Sequence, residues 1–220
     1  MAVWRPQLYR QDGQVRGVDG SVLDAAVAAG EAVIAVDPSL PPIFTLKHLA
    51  HLTGTEFGLL RMIVSRRIEE PYRVFKIRKR PSKTGEKRFR VICAPEPSLL
   101  VVQRWLAKNV LAKGRVHPAS TAYAPGSTLV DAAKPHCGCS WLIKLDVKNF
   151  FESLTEISAY RAYRSLGYQS LVAFELARLS TRTGSGTMLR SRWRWRRHHP
   201  GRHPVIEEYV RWQLGHLPQG

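Results

Sequence analysis

Three cysteines in 220 residues, an odd number, cannot build the disulfide framework that staples small secreted domains. Long apolar runs are missing too. The longest stretch of small apolar residues, from Ala25 to Val36, is interrupted by Gly30 and Glu31 and is too short to span a bilayer, so no membrane partner is expected. No basic-then-apolar signal peptide opens the chain, which makes cytoplasmic residence the default expectation. Acidic residues are scarce, 17 Asp and Glu against 34 Lys and Arg, and the formal net charge is +17. Yet 44% of the residues are hydrophobic and six are Trp, so the chain can fold. A foldable chain with that imbalance suits a polyanion, most simply a nucleic acid. Its length allows one good core, or one domain with an appendage.

Residues 1–44 mix Gly, Asp, Ala and Pro and read as a variable N-terminal appendage, with a helical candidate only at Val22–Ala29. Thr45 is placed to cap a short helix, LKHLAHL, that Gly54 stops; Thr55 can cap a second one through Arg66. Two short helices in succession could be a DNA-reading helix-turn-helix, but no third helix follows and a strand signal arrives at once, which favours a packing role. From Tyr72 to Pro95 two extended runs, YRVFKI and KRFRVICAP, flank the turn-rich RPSKTGE, the pattern of a β-hairpin. Nine Lys and Arg in it face only Glu86. Protecting a sheet edge takes one or two lysines; this density points to an anionic partner. Ser98 is then placed to cap a helix whose Leu99, Val102, Leu106 and Val110 form one apolar stripe, leaving Gln103, Arg104 and Lys108 for other faces.

The segment HPASTAYAPGSTLVDAAKPH follows, with a short helix near Leu129, and then WLIKLDVKNFFESL from Trp141 to Leu154. The latter reads as a buried strand that delivers one carboxylate, Asp146, and turns aromatic at Phe150 and Phe151. Burying a charge needs a partner or a metal to offset desolvation, so Asp146 is the first residue to suspect of chemistry. Helices are expected from about Thr155 to Leu166, stopped by Gly167, and from Gln169 to Leu179. Residues 181–203 interleave Arg, Trp, Gly, Ser and His, as suits phosphate pairing with base stacking or, equally, a flexible basic insertion. His136, Cys137 and Cys139 lack a fourth ligand at zinc-site spacing and read as ordinary residues.

Taken in order, five landmarks resemble the N-terminal half of bacterial reverse transcriptases of the retron and group II intron type: FKIRKRPSKTGEKRFRVICAP with the helix bearing Gln103 and Arg104; HPASTAYAPGSTLVDAAKPH; LDVKNFFESL; GYQSLVAFELARLST; and the terminal LPQG. The resemblance covers roughly 45–180 and then 216–220. It implies an α+β fold, fingers over 45–134 with the basic hairpin at 72–95, and part of a polymerase palm over 135–220. It also implies RNA-directed DNA polymerisation by two-metal nucleotidyl transfer, with Mg²⁺, dNTP, an RNA template and an RNA/DNA hybrid as cofactor and partners. Phage defence would then be a reasonable role.

The resemblance likewise assigns residues. Asp146 would be the catalytic carboxylate and a metal ligand, with the backbone carbonyl of Val147 as a second, hard oxygen donor. Lys79, with Arg78 and Arg80 flanking it as alternatives, and Arg90 would grip the triphosphate. Phe151 would lie against the sugar of the incoming nucleotide and exclude a 2′-hydroxyl, and Gln219 would lie along the nucleotide. Arg78, Arg80, Lys83, Lys87, Arg88 and Arg104 would hold nucleic acid. Asn149 stands where many relatives carry Asp, and the family's Tyr-x-Asp-Asp pair of carboxylates has no counterpart in the 220 residues. One carboxylate does not hold two ions, so the chain alone is expected to be inactive, as a truncated or split enzyme that a second polypeptide could complete. The competing expectation is a non-catalytic RNA-binding module built on the hairpin and the Arg/Trp insertion; a DNA-binding regulator using 45–67 is the third.

Overall fold

The computed structural model describes residues 4–68, 71–78, 89–114, 120, 126–146 and 150–182. Two helices come first, α1 (Pro6–Val15) and α2 (Gly20–Val36). Asp19 caps α2 by accepting the Ser21 backbone N–H at 2.8 Å. The observed α2 is twice the length of the candidate at Val22–Ala29, and the Gly-Glu pair that looked like an interruption lies inside it. Trp4 explains the glycine: a Cβ on Gly30 would sit 2.8 Å from the indole ring. Leu23, Val27, Gly30 and Val33 form the buried side of α2 at helical spacing.

Helices α3 (Leu46–Thr53) and α4 (Phe57–Val64) follow. The Thr45 hydroxyl accepts the His48 N–H at 3.1 Å and Gly54 ends α3 in the left-handed conformation, both as the sequence implies. Thr55 does not cap α4. Its hydroxyl is engaged 2.7 Å from that of Thr53, and Glu56 takes the cap position without a side-chain bond. Strands β1 (Tyr72–Arg78) and β2 (Phe89–Pro95) pair antiparallel, in register from Tyr72↔Pro95 to Arg78↔Phe89. Helix α5 (Pro97–Asn109) begins one residue before the expected cap Ser98, because the fixed φ of Pro97 suits a first helical position and Glu96 becomes the cap. Its stripe of Leu99, Val102 and Leu106, with Val110 just beyond, is buried as expected.

Short helices α6 (Leu129–Ala133) and α7 (Phe150–Ser153) lead to α8 (Glu156–Ser165) and α9 (Ser170–Ser180). Thr155 caps α8 through the Ser158 N–H, at 3.3 Å. The α8–α9 turn needs Gly167, whose φ is 86° and where a Cβ would lie 2.4 Å from the carbonyl oxygen of Ala32.

One apolar core joins α3, α4, α5, α8 and α9, and Val33, Leu40 and Ile43 from the N-terminal 44 residues enter it. The Tyr168 hydroxyl donates to the Pro41 carbonyl at 2.9 Å, and burial pushes its ionisation up. Tyr163, its phenol pushed up to about 12 by burial against the counter-effect of its bond with Ser180, lies beside it. Helices packed with one small antiparallel sheet make the fold α+β, in line with the expected class. No described helix is long and apolar enough to cross a membrane.

Candidate nucleic-acid interface and the Asp146 segment

Strand alternation sorts the hairpin's side chains before any ligand is considered. Residues opposed in the register share a face. Tyr72, Val74, Lys76 and Arg78 therefore stand with Phe89, Val91, Cys93 and Pro95, whereas Arg73, Phe75 and Ile77 stand with Arg90, Ile92 and Ala94. Arg78 and Arg90, both implicated by sequence, lie on opposite faces. Each face mixes exposed cations with exposed apolar side chains: Val74, Phe89 and Val91 on one, Phe75 and Ile77 on the other. The Arg73 guanidinium lies 5.3 Å from the centroid of Phe75, within cation–π range. Guanidinium and aromatic groups side by side can pair phosphate and stack a base.

The hairpin is held at its base. Gln103 on α5 donates its one amide group to two acceptors, the Tyr72 hydroxyl at 2.9 Å and the Leu179 carbonyl at 2.8 Å, tying β1 to the end of α9. The Glu96 N–H donates to the Pro71 carbonyl at 3.0 Å and closes the two strand ends together. Gln103 is thus a structural tie, a role that its place beside Arg104 in the sequence did not reveal. Arg104 itself is exposed, midway in sequence between Val102 and Leu106 of the buried stripe of α5.

A second polar link joins α4 to the last two helices. Glu156, in the first turn of α8, accepts from Arg66 at 2.9 Å and from Arg178 at 3.2 Å. Arg178 also donates to the Val64 carbonyl at 2.6 Å and lies 4.3 Å from the centre of Phe174. Arg66 adopts a left-handed φ of 58°, and this places its guanidinium against Glu156 and Thr181. Nothing in the spacing of 66, 156 and 178 announces this cluster, since its members come from three separated elements. Elsewhere, burial raises the Glu175 carboxyl on α9.

The Asp146 segment differs from the sequence expectation. Residues 141–146 form no strand and are exposed, Trp141 by 73% and Leu145 by 88%. The only sheet among the described residues is β1–β2. The reason is physical: alternating apolar residues favour a strand only where a neighbour satisfies the backbone and covers the side chains, and no described residues do so here. Asp146 is exposed as well, so the desolvation that made it suspect does not operate.

Hard divalent ions take several oxygen donors, commonly more than one carboxylate. Among the described residues no group of three His, Cys, Asp or Glu is placed to hold a metal ion, so Asp146 does not by itself fit a Mg²⁺ site. Val147, Lys79, Arg80, Lys83, Lys87, Arg88 and Gln219, together with the basic segment from 183 onward, lie outside the described residues. Phe151 falls in α7, and its ring lies outside the described atoms.

No protein-family model matches the chain. Several curated proteins do. The retron Ec86 reverse transcriptase of Escherichia coli is 29% identical over 140 residues, covering 64% of this chain and 42% of that protein. The retron Mx65 reverse transcriptase of Myxococcus xanthus is 32% identical over 142 residues, covering 64% and 33%. The retron Ec83 reverse transcriptase of Escherichia coli is 35% identical over 91 residues, covering 41% and 28%. The chain spans less than half the length of these relatives. Over nearly two thirds of its length the chain is similar in sequence to retron reverse transcriptases, in line with the resemblance its ordered motifs imply.

Proposed function

We propose that this chain serves RNA-directed DNA polymerisation, supplying the fingers and part of the palm. The observation that carries the reading is sequence similarity to retron reverse transcriptases over about 140 residues of this chain. In this reading Arg90 and Lys79 grip the triphosphate of a dNTP, Phe151 lies against its sugar and Gln219 lies along the nucleotide. Arg78, Arg80, Lys83, Lys87, Arg88 and Arg104 hold the RNA template and the RNA/DNA hybrid. The register supports a division of labour, because Arg90 shares a face with Arg73 and Phe75 while Arg78 shares one with Lys76 and Phe89. Asp146 contributes one carboxylate toward Mg²⁺ ligation. One carboxylate does not complete a two-ion site, so the 220-residue chain is expected to give no primer extension by itself.

The test is photo-crosslinking of an azido-dNTP to the purified chain in the presence of an RNA template annealed to a DNA primer. Labelling should fall on peptides of β1 and β2 and drop several-fold in Arg90→Ala, while Arg78→Ala chiefly weakens salt-sensitive RNA binding. Labelling indifferent to Arg90, with RNA binding intact, would instead support the second reading, a non-catalytic RNA-binding module. The exposure of Asp146 without a described companion carboxylate is the observation that favours that alternative. Robust extension by the 220-residue chain, lost in Asp146→Asn, would sink the claim of inactivity.

A further inference from the structure

The short 3₁₀ turn of Lys134–His136 ends in the sequence Cys137-Gly138-Cys139, and both cysteines are exposed free thiols. Cys137 has φ −69° and ψ 133°, and Gly138 has φ 82°. Those are the dihedrals of the second and third residues of a type II turn, which puts Cys139 fourth. A fully extended chain separates residues two apart by about 7 Å, at the outer limit for a disulfide, and a bend at the intervening residue brings them inside it. Glycine is the residue that makes this bend without steric cost. The third cysteine, Cys93, is part-buried on β2 and sits opposite Val74 in the hairpin.

We propose that Cys137 and Cys139 are a thiol–disulfide exchange pair, closed by low-molecular-weight disulfides. The thiolate of one cysteine attacks a sulfur of the small disulfide, forms a mixed disulfide and releases one small thiol. The thiolate of the other attacks the protein sulfur of that mixed disulfide, forms the Cys137–Cys139 bond and releases the second small thiol. Two electrons pass from the pair to the small disulfide, and the two protons leave with the two released thiols. Both sulfurs being accessible, the bond opens again to any thiol by the reverse path, so it is an exchangeable link rather than a structural staple.

The experiment uses the full 220-residue chain, reduced, freed of reductant and incubated with oxidised glutathione, followed by peptide mass analysis without reduction. The wild type should yield a peptide containing residues 137–139 that is lighter by two hydrogen atoms and carries no glutathione. Cys137→Ser and Cys139→Ser should each stall as a stable glutathione adduct on the remaining thiol, and Cys93→Ser should behave like the wild type. Gly138→Val, which opposes the left-handed bend, should shift the wild-type product several-fold toward adducts. Two persistent adducts in the wild type, no modification at either cysteine, or a bond from Cys93 to one of them would overturn the proposal.

Discussion

Glu156→Gln is the substitution that tests the packing of the helical body most directly. The carboxylate bridges two guanidinium groups, Arg66 and Arg178, and its side chain is 31% exposed while that of Arg66 is only 10% exposed. Fully exposed ion pairs contribute about 0.2–1 kcal/mol each, and breaking a buried pair costs about 3–5 kcal/mol. This bridge lies between those limits. Glutamine keeps the shape and one carbonyl acceptor but turns an N–H₂ toward the second guanidinium, and it withdraws a negative charge from the first turn of α8, a further ~0.3–0.5 kcal/mol. Arg66 keeps its weaker contacts to Thr181, at 3.4 and 3.5 Å. The expected loss is about 2 kcal/mol. Urea unfolding followed by tryptophan fluorescence should show the midpoint falling by roughly 1 M at unchanged slope. A double-mutant cycle with Arg178→Met should give a coupling of at least ~0.5 kcal/mol. A midpoint within about 0.2 M of wild type, or no coupling, would show that the bridge does not join α4 to α8 and α9 energetically.

Leu106→Ala, at a fully buried position of the α5 stripe, should cost about 2–5 kcal/mol in the same assay, whereas Val101→Ala on the exposed side should stay within about 0.5 kcal/mol. Gly167→Ala meets both a positive φ and the Ala32 carbonyl and should lose about 2–4 kcal/mol. Gly126→Ala, with φ 78° but open space around it, should lose only about 1 kcal/mol, so equal losses would contradict the steric argument. Burial of His48, and secondarily the charge of His51, lowers the His48 ionisation below 6.5; the Phe44 N–H also donates toward its Nδ1 at 3.5 Å, which needs the neutral ring. The unfolded chain then binds the proton more readily. His48 therefore favours folding fully above pH 6.5, and its contribution fades as pH falls from there through the lowered folded-state value. Thermal melts from pH 7.5 to 5 should show that acid slope shrinking in His48→Gln; an unchanged slope would refute the assignment.

Local signals were legible where the chemistry is local. Thr45 and Gly54 bracket α3, the period of Leu99, Val102, Leu106 and Val110 marks α5, and the turn-rich 80–86 between two extended runs marks the hairpin, each readable within about two dozen residues. The helical extent of residues 6–36 was not legible, because Ala and Gly give α2 little polar contrast and Gly30 is explained only by Trp4, 26 residues away. Asp146 failed in the opposite direction. Its run has a strand's composition, but a strand is a property of two partners, and the described residues offer it none. The first suspicion of Asp146 rested on that strand reading; its metal-ligand role, and the roles of Arg90 and Phe151, came from resemblance, which carries motif order and not geometry.

Among the described residues the hairpin is held only at its base. Every residue of β1 beyond Tyr72 is exposed, and the part-buried residues of β2 are Ile92 to Pro95, next to α5. Seven residues of strand extend about 20 Å, so the ribbon is a cantilever clamped at Tyr72, Gln103 and the Pro71–Glu96 bond. A rotation of ten degrees at that clamp would sweep the Arg78–Phe89 end through about 3–4 Å, roughly the length of one hydrogen bond, while the clamp itself hardly moves. Amide exchange should therefore quicken steadily from Ala94 toward Phe89. A ligand that bridges the outer cations to the helical body would act as a second support and turn the lever into a beam held at both ends.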